Sequence, residues 1–288
     1  MTVTSNVQDL IGVYHLVRKR NGLQVYLNFI ASLQKTTRQS GWRLVLIFKG
    51  FNEGDPELQG YEAALAGIPY ESLFVSDEGF DITAYFKAAA QSKYQQLIFF
   101  NSFSEILSPD WLDYYRAAFC DSKVGLIAAT GTFESNFHNF ALRMAIAHSF
   151  KSRVVNALKY ALKAPLMSWG FPAFPNPHLR SNAFMIRRDD LLALRRTVRT
   201  KLQALRFESG RNSLSRYFLQ RQQKILMIDR TGKTWEPEQW KQARVFRQSI
   251  QEDLLVSDNQ TRAYDKASPT QKAHQAFLAW GNQESFGP

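Results

Sequence analysis

Cysteine is almost missing from this chain. With Cys120 alone among 288 residues, no intrachain disulfide can form, which excludes a disulfide-stapled scaffold and points to a reducing compartment. Long apolar runs are missing as well. Nowhere do about 18 uncharged apolar residues follow one another, so a membrane-spanning helix is not expected. Met1 to Leu10 lack a basic segment followed by an apolar one, so an export signal is not expected either, and a cytoplasmic location is the natural reading. No self-similar period marks a solenoid, and no low-complexity linker divides the chain. Acidic residues are outnumbered: 25 Asp and Glu stand against 36 Lys and Arg, a formal charge of +11. That balance suits nucleic acid, acidic lipid or phosphorylated small molecules. The deficit is local, because between Glu134 and Asp189 there is no acidic residue, while Arg143, Lys151, Arg153, Lys159, Lys163, Arg180, Arg187 and Arg188 all occur. No basic run carries the aromatic spacing of an RNA- or oligonucleotide-binding module, so nucleic acid is not expected as a partner.

What is present is enough for one full core: 45% of residues are hydrophobic and 14% aromatic. The first half alternates short apolar runs with helical patterns, as parallel βαβ units do. Strands are predicted at 11–17, 43–48, 72–75, 97–100 and 125–129, with helices at 23–33, up to about 66, and at 82–90. Pro109 sits at the first turn of a further helix, where its missing N–H costs nothing; Cys120 at the end of that helix reads as ordinary packing. A helical stretch at 140–163, a proline-rich segment at 165–177, a strand at 183–186, helices from 189 and at 213–222, and a strand at 225–228 follow. The prediction is an α/β fold, a mostly parallel doubly wound sheet with flanking helices shared by both halves. It occupies 1–232, with an irregular, loop-rich C-terminal extension, 233–288, packed on the same domain around Trp235 and Trp240.

In open α/β sheets ligands bind beyond the carboxyl ends of the strands, where helix N-termini and backbone N–H groups converge on anions. The residues there are His15 and Arg18 to Gly22, Lys49 to Phe51, Ser76 to Asp81, Asn101, Ser102 and Ser104, and Thr130 to Ser135. Four of these five loops carry charged or small polar groups of the kind that hold a nucleotide diphosphate.

Between Gly12 and Gly232 the chain resembles A-type-fold glycosyltransferases, in particular bacterial family-2-like and rhamnan-synthesis-type enzymes. The segment Asp77-Glu78-Gly79-Phe80-Asp81-Ile82 is similar to their nucleotide-contacting "N-x-G-x-D-x-G". The run Phe99 to Ser104, with Pro109-Asp110-Trp111-Leu112 after it, stands where those families have an apolar strand, an Asp-x-Asp metal motif and a "P-x-W-L" helix start. Asn176 to Phe184 resembles "H-x-R-S/T-N-x-F", and Glu208-Ser209-Gly210 falls where family-2 enzymes keep an acidic base. The resemblance implies a nucleotide-diphospho-sugar transferase-like fold that moves a sugar from a nucleotide-sugar donor to a glycan or lipid-linked acceptor in surface polysaccharide assembly. It implies Glu208 and His178 as catalytic residues, with Glu208 as the base, and places His178, Arg180 and Asn182 beside the sugar. Arg18 and Lys49 then meet the phosphates, Asp77 and Asp81 the base or ribose, and Asn101 and Ser102 occupy the donor side.

The Asp-x-Asp position reads Asn101-Ser102-Phe103-Ser104, so the oxygen ligands that hold Mg²⁺ or Mn²⁺ are missing. Three explanations stand: Arg18, Lys19 or Lys49 neutralises the diphosphate in place of a metal; Asp81 or His178 holds one; or the chain binds a nucleotide sugar or glycan without catalysis. Each site residue also has a plainer reading. Glu208, Asp77 and Asp81 suit helix starts, where the dipole favours carboxylates. His178 is able to satisfy a loop carbonyl, Arg18-Lys19-Arg20 to form a solvated turn, and Trp235, Trp240 and Trp280 to pack. In the acid-free stretch Phe150, Val154, Leu158, Ala161 and Leu162 share one helical face and Arg153, Lys159 and Lys163 the other, with Lys151 near the apolar side. Such a helix either packs on the sheet with its basic face in water or lies on an anionic membrane.

Overall fold

The computed structural model describes residues 10–36, 40–65, 67–145 and 150–282. Its strands are β1 Ile11–Arg18, β2 Trp42–Lys49, β3 Tyr70–Val75, β4 Gln96–Phe100, β5 Glu105–Ile106, β6 Val124–Ala128, β7 Gly131–Thr132, β8 His178–Leu179, β9 Phe184–Arg187, β10 Lys224–Ile228, β11 Thr234–Trp235 and β12 Val256–Ser257. Eight of them make one sheet in the order β11-β10-β6-β9-β4-β1-β2-β3. Strands β3, β2, β1 and β4 are parallel neighbours, as are β6 and β10. The arrangement implied by the resemblance, a mostly parallel α/β sheet flanked by helices, is the one found.

Burial on both faces explains why the parallel strands read as nearly unbroken apolar runs. Successive residues of a strand point to opposite faces. Tyr14, Leu16, Val45, Ile47, Leu97 and Phe99 therefore enter one core, while Val13, Val17, Leu44, Leu46, Ile98 and Phe100 enter the other. The predicted succession of five strands needs one correction. The fifth, β6, is not beside β4, because β9 runs antiparallel between them. Phe99 on β4 stacks on Tyr14 of β1 at 4.9 Å and on Phe184 of β9 at 5.2 Å, which fastens the inserted strand by aromatic packing.

The extension is more regular than its loop-rich sequence suggests. Strand β11 adds an antiparallel edge to the main sheet, and β12 pairs with β5. Helices Asn259–Asp265 and Pro269–Trp280 both begin with capping boxes, Asp258 with Thr261 and Ser268 with Gln271. The tryptophans here pack: the Trp240 indole donates to the Trp235 carbonyl at 2.8 Å and the Trp280 indole to the Phe246 carbonyl at 2.7 Å. Trp240 approaches Gly131 so closely that a Cβ there would lie 2.9 Å from its ring.

Two further expectations are corrected. Cys120 caps its helix exposed to solvent and takes no part in the core. The helical stretch after Phe140 is two helices, Asn136–Ala145 and Phe150–Gly170, and the second does not turn its apolar face to the sheet. Val154, Leu158 and Leu162 are exposed; the side chains of Arg143, Phe150, Lys151 and Arg153 lie outside the described set.

Candidate active site

A polar cleft of about 360 Å³ opens at the carboxyl ends of the parallel strands. Arg18, Asp81, Asn101, Ser102, His178, Arg180, Asn182 and Glu208 all line it. Lys49 and Asp77 do not. Lys49 ends β2 with its side chain 1% exposed, and its ammonium donates to the carbonyls of Ser76 at 3.2 Å and Glu78 at 2.7 Å. It braces the turn after β3 from beneath, and burial, followed by the nearby Arg18 charge, lowers its pKa. Asp77 is half exposed on that turn, 3.8 Å from Arg18 and 3.9 Å from Lys49. Lys19 is drawn aside into ion pairs with Asp55 and Glu57.

One wall of the cleft comes from the strand ends. Arg18, the last residue of β1, reaches Asp81 at 3.2 Å. Asp81 sits in the first turn of helix Asp81–Gln91, where the dipole favours its charge, yet burial raises its pKa against the pull of Arg18 and Lys49. Past β4, the side-chain oxygen of Asn101 accepts from Phe103 N at 2.8 Å and from the Ser104 hydroxyl at 3.2 Å. The oxygen that would replace a metal-binding carboxylate is thus folded back into its own turn. Ser102 presents a buried hydroxyl with no hydrogen-bond partner among the described residues.

The opposite wall is assembled from three distant segments. Ala183 is held at φ 48°, a left-handed conformation that is strained for alanine. Its carbonyl accepts from Ala129 N and from the Tyr115 hydroxyl, which fixes the turn. Asn182, just before it, accepts through Oδ1 from the Ser104 hydroxyl at 2.5 Å and from Asn101 N at 3.3 Å, tying the two walls together. Arg180 donates to Asp258 at 2.8 Å and to Thr130 Oγ1 at 3.3 Å, and its guanidinium lies 4.3 Å over the Phe246 ring. Burial would raise the Asp258 pKa, but Arg180 and the backbone N–H groups of Thr261 and Gln260 hold it below the usual range. His178 Nδ1 lies 2.8 Å from the Asn176 carbonyl. Donation there leaves Nε2 as an acceptor, and burial keeps the ring's pKa low.

Glu208 stands in the last turn of helix Lys201–Ser209, not at a helix start. Its position is therefore neither an N-cap nor a solvated face. It is half-buried at the cleft, accepts a hydrogen bond from the Ser181 hydroxyl, and has its pKa raised by burial, which outweighs Ser181 and Arg180. Sequence reasoning missed Arg247 and Asp258, and it reached Glu134 and Ser181 only as members of the Thr130 to Ser135 loop and the Asn176 to Phe184 run. Glu134 accepts from Asn139 at 2.6 Å and pairs with Arg247 at 3.3 Å. Of the two missed residues Asp258 carried a local signal, the Asp-x-x-Thr capping pattern, and that pattern speaks of a helix start rather than a site.

The residues present do not fit a divalent cation of the kind bound by Asp-x-Asp. Asn101 is turned inward, Asp81 and Glu134 are paired with arginines, and no group of three His, Cys, Asp or Glu suited to a metal occurs among the described residues.

No family model matches the chain, and no curated protein matches it. Solved structures to which it is similar include S. aureus TarS residues 1–349, with 13% identity over 41% of this chain and 34% of that one at a TM-score of 0.34. GalNAc-T7 with UDP, GalNAc and Mn²⁺ gives 20% identity over 41% and 22% of the two chains, TM-score 0.35. The mannosyltransferase PcManGT from Pyrobaculum calidifontis, in complex with GDP-Man and Mn²⁺, gives 11% identity over 64% of this chain and 46% of that one, TM-score 0.41. Each match spans less than half of the solved chain.

Proposed function

We propose that this chain is a glycosyltransferase that moves a sugar from a nucleotide-sugar donor to a hydroxyl of a glycan or lipid-linked acceptor, without a metal at the Asp-x-Asp position. The observation that carries the reading is Glu208: a carboxylate with a raised pKa, oriented by Ser181, opening on a polar cleft at the carboxyl ends of a parallel sheet, with Arg18 among the residues that line it. Raising the pKa makes the carboxylate a stronger base than a free one. In the proposed step Glu208 accepts the acceptor hydroxyl's proton as the acceptor oxygen bonds to the anomeric carbon. The bond from that carbon to the phosphate oxygen breaks, and the nucleoside diphosphate leaves with the electron pair. Arg18 supplies positive charge toward the departing diphosphate. His178, Arg180 and Asn182 flank the sugar, with Arg180 held rigid by Asp258 and Phe246 so that little motion is lost on binding.

A second reading, a chain that binds a nucleotide sugar or glycan without turnover, is favoured by the inward-turned Asn101 alone. The two part in one experiment. A thermal-shift panel of UDP, GDP, CDP and dTDP and their sugars, with and without Mn²⁺ or Mg²⁺, comes first, since a ligand that binds only the native state raises its stability. One nucleotide family is expected to stabilise the chain with no added effect of the metal. Release of that nucleoside diphosphate from its sugar with an acceptor present, lost in Glu208→Gln while the stabilisation persists, selects the transferase. Stabilisation without release selects the binder, and no shift with any donor overturns both.

A further inference from the structure

Helix Phe150–Gly170 presents large apolar side chains to solvent: Leu162 is 72% exposed, Trp169 71% and Leu158 62%, and Val154, Val155 and Leu166 are exposed with them. Helical spacing gathers these side chains into one stripe along the helix. Tyr160, which stacks on Phe140 of helix Asn136–Ala145 at 5.8 Å, belongs to the opposite side. The stripe therefore points away from the element on which the helix packs. A contiguous apolar surface of this kind marks a contact with something else.

Charge identifies the occupant. The helix carries Lys151, Arg153, Lys159 and Lys163 and no acidic residue, and the nearest acids in sequence are Glu134 and Asp189. At its C-terminal end the Arg206 guanidinium stands 5.3 Å over the Trp169 ring, and Arg211 donates to the Ser168 carbonyl at 3.1 Å. Pairing of two copies through the stripe would bring these cations together with no acid between them, which costs affinity. A bilayer with anionic headgroups meets both demands: the stripe enters the acyl boundary, the lysine stems extend back to the headgroups, and the tryptophan sits at the interface. We propose that helix Phe150–Gly170 lies flat on an anionic membrane surface, with Val154, Leu158, Leu162, Leu166 and Trp169 as its buried side. Among the described residues no helix is long and apolar enough to cross a membrane, so this contact is peripheral. The helix end adjoins the cleft wall, since Arg211 N donates to the Gly170 carbonyl at 3.2 Å just beyond helix Lys201–Ser209. Where the transferase reading holds, that favours a lipid-linked acceptor.

The test is flotation of the full chain with vesicles of phosphatidylcholine alone and with added phosphatidylglycerol. Strong flotation only with phosphatidylglycerol is expected, falling roughly tenfold or more as salt is raised, since about a tenfold loss is the order expected when a few surface lysines are screened. Leu158→Asn with Leu162→Asn abolishes it while the thermal midpoint stays unchanged, because both side chains are exposed. Lys159→Glu with Lys163→Glu weakens it without touching the stripe. Absence of flotation overturns the proposal, as does equal flotation on neutral vesicles that ignores the leucine changes. A dimer in solution that the leucine changes convert to monomer assigns the stripe to a second copy and overturns it too. No donor enters this assay, so its failure and failure of the transferase reading are told apart.

Discussion

The two walls of the cleft differ in how they are held. On the strand-end wall Asn101 is satisfied within its own turn, by Phe103 and Ser104, and Arg18 pairs with Asp81 at the start of the neighbouring helix. On the opposite wall His178 is held locally by the Asn176 carbonyl, but the charged groups depend on segments farther away in sequence. Arg180 needs Asp258 and Phe246, and Glu208 needs Ser181. A turn closed on itself is pre-set by strand geometry, whereas Arg180 is held in place only through contacts with the extension. Changes on the second wall should therefore carry larger effects, in chemistry and in stability alike.

The largest effect is expected at Glu208. Glu208→Gln keeps the volume and removes the base, so kcat should fall by about 10²–10⁴-fold with donor affinity retained. The pH profile gives the sign. Burial raises the Glu208 pKa, the reaction needs the ionised carboxylate, and activity is lost as pH falls through that raised value. The acid limb of kcat/KM should thus lie above about 4.3, the ordinary glutamate position. Ser181→Ala removes a hydrogen bond that favours the charged form and should move the limb further upward. A limb that stays where it is in that variant would separate Ser181 from the base.

Next in size is the pair that docks the extension. Arg180→Met strands the fully buried Asp258 carboxylate, and breaking a buried pair from one side costs about 3–5 kcal/mol. In the parent, Asp258 is held below the usual carboxylate range, so its contribution is present above the unfolded pKa of about 3.9 and lost as pH falls through the lower folded value. Without Arg180, only the Thr261 and Gln260 N–H groups oppose burial and the folded pKa rises, so the penalty should shrink in acid. Urea melts at pH 7 and pH 5 check this. Arg180→Met with Asp258→Asn should recover part of the loss, because asparagine still caps helix Asn259–Asp265. By contrast, Asn101→Ala on the strand-end wall removes one local turn and should cost only about 1 kcal/mol.

The same division explains what the sequence made legible. Parallel strands announce themselves by apolar runs, and strand-end residues follow from them by position, so Arg18, Asp81, Asn101 and Ser102 were reachable from pattern alone. Lys49 shows the limit of that rule: strand-end position does not say whether a side chain faces the ligand or the floor. His178, Arg180, Asn182 and Glu208 were placed through the resemblance, since no local periodicity distinguishes them. Helix Lys201–Ser209 went unread despite its Thr200/Gln203 capping box, because its face is polar where the cleft begins. Strand β9 between β4 and β6 is a long-range pairing, and so are the partners Asp258, Glu134 and Arg247. Such contacts leave no spacing signal in one sequence.

An effect at neutral pH as small as that of Asn101→Ala tests whether the turns beside β1 need a partner beyond themselves. His15 on β1 is fully buried, its ring 3.6 Å from that of Phe29, and neither ring nitrogen has a hydrogen-bond partner among the described residues. Burial lowers its pKa to about 3, so the folded chain keeps the ring neutral while the unfolded chain protonates it below about 6.5. The unfolded state then binds more protons, and stability falls as pH drops from about 6.5 toward 3. His15→Leu removes both unpaired nitrogens and the titration. It should stabilise by about 1 kcal/mol at pH 7.5 and by roughly a further 1.4 kcal/mol at pH 5.5, one unit below the unfolded pKa. A loss of stability at pH 7.5 would mean that the imidazole is hydrogen-bonded in the folded chain, in which case this wall also rests on a partner beyond its own turns.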